Sequence, residues 1–215
     1  MPEIVQLNAF ILGLVIAINL MVAILLLMRD LQNPIHRSFF VFVILVTVWV
    51  VVRFIDNLYV FYHPGISLWA QLAILAPLFI PFFFYRLITN FTGDWKQISA
   101  VQKIIFLIPA IIMSAFLFTP YNVASYDNNQ FKPSSLYIWF SVYFILLISF
   151  SLGILWRKRV AMAEWQGAQA LNIFWGSLLT ASFGIIFSAI LPLLSYDRLY
   201  YLGSMSSAFS QSWFS

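Results

Sequence analysis

Apolar residues occupy this 215-residue chain in long blocks, each separated from the next by a short polar or charged interval. A helix needs about 20 mostly apolar residues to cross about 30 Å of hydrocarbon. Six blocks meet that length, over residues 7–28, 38–61, 68–91, 104–119, 136–156 and 170–195. A seventh begins near Leu199 and runs to Ser215 through a polar stretch, Ser210-Gln211-Ser212, so it reads as partial or truncated. The first block is no signal peptide, because its leader Met1-Pro2-Glu3 carries an acid and the apolar run is too long for an h-region. Short intervals make sequential helices neighbours in an antiparallel bundle. The longest interval, 120–135, holds the turn formers Asn122, Asp127-Asn128-Asn129 and Pro133, and is expected to be an exposed loop. The pattern predicts an all-α integral membrane protein, one domain of six complete transmembrane helices plus the beginning of a seventh.

Composition strengthens that reading. The chain is 63% apolar and 19% aromatic with only 8% charged residues, against about 25% charged in an ordinary soluble domain. Its mean hydropathy is +0.94. A soluble fold of this size has no core large enough to hide so much apolar surface. The eleven Lys and Arg outnumber seven acids, yet they lie between the apolar blocks instead of in one dense patch, which argues topology over nucleic-acid binding. Arg29, Arg37, Arg86, Lys96, Lys103, Arg157, Lys158 and Arg159 fall on one side, Lys132 and Arg198 on the other, and Arg53 inside the second block. The basic side is expected to be cytoplasmic, with the N-terminus outside.

Charged residues inside a span mark function or a compensated structural pair. Arg53 and Asp56 stand at i and i+3 on one helical face, with Trp49 and Asn57 extending the stripe. One reading makes Arg53, Asp56 and Asn57 a ligand or signal site near the outer leaflet. The other makes the pair an interfacial one, Arg53 reaching outward and Asp56 neutralising it. Pro77 and Pro81, one turn apart in the third block, each remove a backbone hydrogen bond and supply a candidate hinge, or simply a structural bend. Asn19, Gln71, Asn172, Thr180, Ser182 and Ser188 are expected to hydrogen-bond between helices. Trp69, Trp95, Trp139, Trp156 and Trp165 sit near block ends as an interfacial belt, and Phe82-Phe83-Phe84-Tyr85 reads as lipid-facing or packed bulk.

The catalytic inventory is thin. There is no cysteine, hence no disulfide, thiolate metal site or thiol nucleophile. His36 and His63 fall in intervals on opposite sides, so they do not share a haem or a metal. No lysine follows Lys158, which removes a retinal Schiff base in the last helix, and no Gly-rich phosphate loop occurs. No cofactor, metal or enzymatic activity is expected of these residues.

Three stretches resemble the N-terminal seven-helix membrane region of prokaryotic sensor histidine kinases. Asn33-Pro34-Ile35-His36-Arg37-Ser38-Phe39-Phe40 followed by Trp49 is similar to that family's short inner loop and second helix. Phe83 to Phe91 is similar to its aromatic end of the third helix. Arg159 through Gln166 and Gln169, then Gly176, Leu191-Pro192-Leu193-Leu194 and Leu202-Gly203, resembles its approach to the sixth and seventh helices. The resemblance implies a multi-pass sensor in a prokaryotic cell membrane, coupled to a cytoplasmic histidine kinase or other output module, and a homodimer by analogy with kinases. It departs at 210–215, where the family's seventh helix continues apolar; the chain reads as a fragment, a truncated product or a free-standing sensor region. No phosphoacceptor histidine or ATP-binding motif is present. A small membrane transporter or permease is the alternative, for which the chain shows neither an inverted repeat nor several intramembrane acids.

Overall fold

The computed structural model describes residues 3–30, 32–62, 68–119, 124–127, 130–133 and 135–186. His63, Ser188, Pro192 and the seventh block from 199 lie outside them. Six helices are described: α1 (Glu3–Leu27), α2 (Pro34–Tyr62), α3 (Leu68–Phe91), α4 (Ala100–Phe116), α5 (Ser135–Lys158) and α6 (Glu164–Ile185). Four of them contain stretches long and apolar enough to cross a membrane, Ala9–Leu27, Pro34–Asp56, Gln71–Phe91 and Tyr137–Ala161. The fourth and sixth helices differ in extent from the apolar blocks that predict them. Helix α4 is apolar but has only 17 residues. Helix α6 starts six residues before the sixth apolar block and carries Glu164, Gln166, Gln169 and Asn172 in its first turns.

Local chemistry sets the helix starts. Asn33 Oδ1 accepts the Ile35 N–H at 2.9 Å, and Pro34 takes the first helical position, where its missing N–H costs nothing. That cap draws α2 back to Pro34, ahead of the apolar block at Ser38. Helix α4 begins at a capping box: Ser99 Oγ accepts from the Gln102 N–H and Gln102 Oε1 accepts from the Ser99 N–H, each at 3.2 Å. Helix α3 ends in a Schellman motif, with Gly93 at φ 79° and the Asp94 N–H donating to the Thr89 carbonyl at 2.8 Å.

Within the interval from 120 to 135, the described residues ahead of Ser135 are extended. Strands β1 (Ala124–Asp127) and β2 (Gln130–Pro133) pair antiparallel in it, with Asp127 opposite Gln130 and Ala124 opposite Pro133. The architecture is therefore helical with one small hairpin.

Helix α3 is the hub, packing against α2, α4 and α5, while α1 packs on α2 and α6 on α5. Of the apolar stretch of α3, 72% is buried, against 28% of that of α1. Leu12, Val15, Val43, Val46, Val50, Ile80, Phe84, Ile88, Leu152 and Leu155 form the main core. A second cluster joins Ile74 and Leu78 to Ala110, Leu117 and Tyr137. Phe82, Phe84 and Tyr85 are buried, which selects packed bulk over lipid-facing for that aromatic run. The outward faces are apolar as well: Phe10, Leu14, Met21, Ile24 and Leu25 on α1, and Ile104, Ile105, Ile108, Ile111 and Ile112 on α4, are exposed. Exposed apolar surface on that scale suits lipid contact.

Hydroxyl groups within the helices are satisfied locally. Ser38, Thr47, Thr89, Ser141, Ser151 and Thr180 each donate to the carbonyl four residues earlier, at 2.7–2.9 Å. This back-bonding meets the need of a buried hydroxyl without a neighbouring helix.

Candidate functional site

The α2 face that carries Val43, Val46 and Val50 into the core continues through Arg53 to Asp56. Arg53 Nη1 lies 3.2 Å from Asp56 Oδ2, with side-chain exposures of 9% and 5%. A guanidinium and a carboxylate this deep survive because each offsets the other's desolvation. Arg53 is buried in the protein and does not reach outward, so the snorkelling part of the interfacial reading fails while the ion pair stands. The Asn57 backbone is helical, but its side chain lies outside the described set. At about 1.5 Å per residue, the pair stands about 30 Å along α2 from Pro34, a hydrocarbon thickness away from that end.

Pro77 and Pro81 are buried in α3, which continues through both positions. They lie in the most deeply buried of the four candidate spans, between Ile74 and Phe84 of the core.

Of the polar residues expected to bridge helices, Asn19, Thr180 and Asn172 behave otherwise. Asn19 is fully buried at helical spacing from Leu12, Val15, Ala23 and Leu26, and neither atom of its amide has a hydrogen-bond partner among the described residues. Its stripe is aliphatic, so it meets no complementary group. Thr180 bonds within its own helix, to the Gly176 carbonyl, and Asn172 is exposed. The bridges come instead from Asn90 Nδ2, which donates to Ser38 Oγ at 2.8 Å between α3 and α2, and from Tyr143 Oη, which donates to the Phe106 carbonyl at 3.1 Å between α5 and α4.

The basic end holds groups that the sequence does not single out. The Trp95 ring has Lys103 Nζ at 4.5 Å and Arg86 Cζ at 5.5 Å from its centroid. Arg159 Cζ stacks 3.4 Å from the Trp156 centroid. Asp94 joins the α3–α4 connection to the end of α5: its Oδ1 accepts from Lys158 Nζ and its Oδ2 from Thr92 Oγ1 at 2.8 Å. Burial raises the Asp94 carboxyl, but hydrogen bonds from Lys158 and Thr92 and the Lys158 charge outweigh it and hold the group below its ordinary range. Trp139 and Trp165 are exposed, as belt residues are. Among the described residues no three His, Asp or Glu side chains gather where a metal would need them.

Comparison with known proteins gives one match. Residues 11–211 fit the family model of the N-terminal 7TM region of histidine kinase. No curated protein and no solved structure matches the chain.

Proposed function

Because the chain belongs to the family of N-terminal 7TM regions of histidine kinases, a membrane family, we propose that it is the membrane-embedded, non-catalytic input region of a two-component-type receptor. It spans the membrane several times with its N-terminus outside and its basic connections in the cytoplasm. A stimulus is read at Arg53, Asp56 and Asn57, near the outer boundary, and relayed to a cytoplasmic histidine kinase or other output module. The match over residues 11–211 carries this reading.

The mechanism follows from packing. Buried charge pairs have few alternative arrangements, so a ligand or field that perturbs Arg53–Asp56 changes how α2 seats on α3. The prolines of α3 each leave a carbonyl without its intrahelical N–H, which lowers the cost of bending there. Helix α3 contacts α4 and α5, and α5 contacts α6, so a bend in it has a path toward the C-terminal helices. A homodimer would let that motion act between two kinase modules.

The test is to read the coding DNA past the Ser215 codon in all three forward frames. A dimerisation helix and a kinase core downstream, or an adjacent kinase gene, is the expected result. Unrelated sequence in every frame, with no kinase gene beside it, would contradict the proposal. A protease-accessible tag on the N-terminus of cells with intact membranes checks the orientation.

A further inference from the structure

The Schellman turn at Gly93 folds the chain back, so that the Trp95 N–H donates to the Thr89 carbonyl at 3.0 Å and the indole lies against the end of α3. Its ring meets Phe82 and Tyr85 edge-on at 6.3 and 6.4 Å, which fixes it from the apolar side. Arg86 and Lys103 approach the same ring from two helices.

Among the described residues no carboxylate lies at ion-pair distance from either cation. Asp94, the nearest acid in sequence, is committed to Lys158 and Thr92. Asp30 accepts from the Gln32 N–H, and Glu164 begins α6. The Arg86 Nε is enclosed and has no acceptor among the described residues. Like charges in a half-buried site repel, and an enclosed N–H without an acceptor costs free energy; one bound anion relieves both.

We propose that Arg86 and Lys103, around the Trp95 ring, form a binding site for a phosphate group carried by an acidic membrane phospholipid. A phosphate offers several acceptor oxygens to the planar guanidinium and a charge to the ammonium. Tryptophan favours the depth of lipid headgroups, and basic pockets between membrane helices accept acidic ones. Arg86 and Lys103 are each half-buried, Arg86 near the end of α3 and Lys103 in the first turn of α4.

The test uses the full chain in nanodiscs of phosphatidylcholine alone or mixed with phosphatidylglycerol, with lipid retained through purification counted by mass. Phosphatidylglycerol should be retained in preference. R86Q and K103Q should each weaken that retention roughly five- to tenfold. K96Q, which removes an exposed cation of the same connection, should leave it unchanged. Equal retention of the two lipids, or an equal loss in K96Q, would overturn the site. If R86Q fails to insert, K103Q in the first turn of α4 decides against K96Q alone. Displacement of the lipid by an equal concentration of inorganic phosphate would overturn the lipid as the source and leave a free-phosphate site.

Discussion

The two charged regions of this molecule, about a hydrocarbon thickness apart along α2, are solved in opposite ways. At the far end Arg53 and Asp56 lie three residues apart on one helix, buried and neutralised by each other. At the near end Arg86 and Lys103 come from two helices, are half-buried, and face a tryptophan in place of an acid. The first region carries its own counter-charge into the core, so disturbing it disturbs the fold. The second depends on something outside the chain, so it can lose a charge without harm until an anion is supplied. Burial and pairing, not the number of charges, decide which region is structural.

The largest effect is expected from unpairing the buried site. D56L leaves a guanidinium buried with its carboxylate removed and should cost about 3–5 kcal/mol, whereas the double variant R53M/D56L should be near neutral. Unfolding in mixed micelles measures both, and equal losses in the two would break the contrast. Next comes G93A. Nothing crowds a Cβ there, but φ 79° is left-handed, so the loss should be about 1–2 kcal/mol, with loosening of Trp95 visible in its fluorescence. D94N should cost less, about 0.5–1 kcal/mol, because Lys158 is half-exposed. Since the Asp94 carboxyl titrates below its ordinary range, its contribution is fully present above about pH 4. It fades as the pH falls through the depressed value in the folded protein; a difference between wild type and D94N that grows on acidification would contradict this. Smallest of all is R86M in zwitterionic detergent, within about 0.5 kcal/mol of wild type. A large loss there would mean that Arg86 has a structural partner after all.

Much of the far region was legible in the sequence, and little of the near one. Arg53 and Asp56 are visible as a pair because helical spacing alone puts i and i+3 on one face. Residues 68–91 read as one helix, and α3 has those ends. The starts of α2 and α4 lie outside the hydropathy pattern, which does not register caps; Asn33-Pro34 and Ser99-x-x-Gln102 carried that information in plain form. The hairpin was hidden because Asp127-Asn128-Asn129 marks a turn without showing what flanks it. Arg86, Trp95 and Lys103 are linked only after Gly93 turns the chain and α4 packs beside α3. Trp95 read as a belt residue, and the convergence of two cations on it is a tertiary fact. Asn19 is the reverse case, a polar residue whose sequence promised a partner that the aliphatic stripe around it does not offer.

The central claim, that this chain feeds a kinase through its buried far-end pair, is tested most directly by fusing residues 1–215 in frame ahead of a histidine-kinase dimerisation and catalytic core. Basal autophosphorylation is then measured in membranes for wild type, D56N and R53Q/D56N, each normalised to inserted protein. The account predicts a several-fold shift in D56N at unchanged insertion, with the double variant fixing any contribution from lost stability. Autophosphorylation that is identical in all three, or independent of whether the chain is attached, would contradict it.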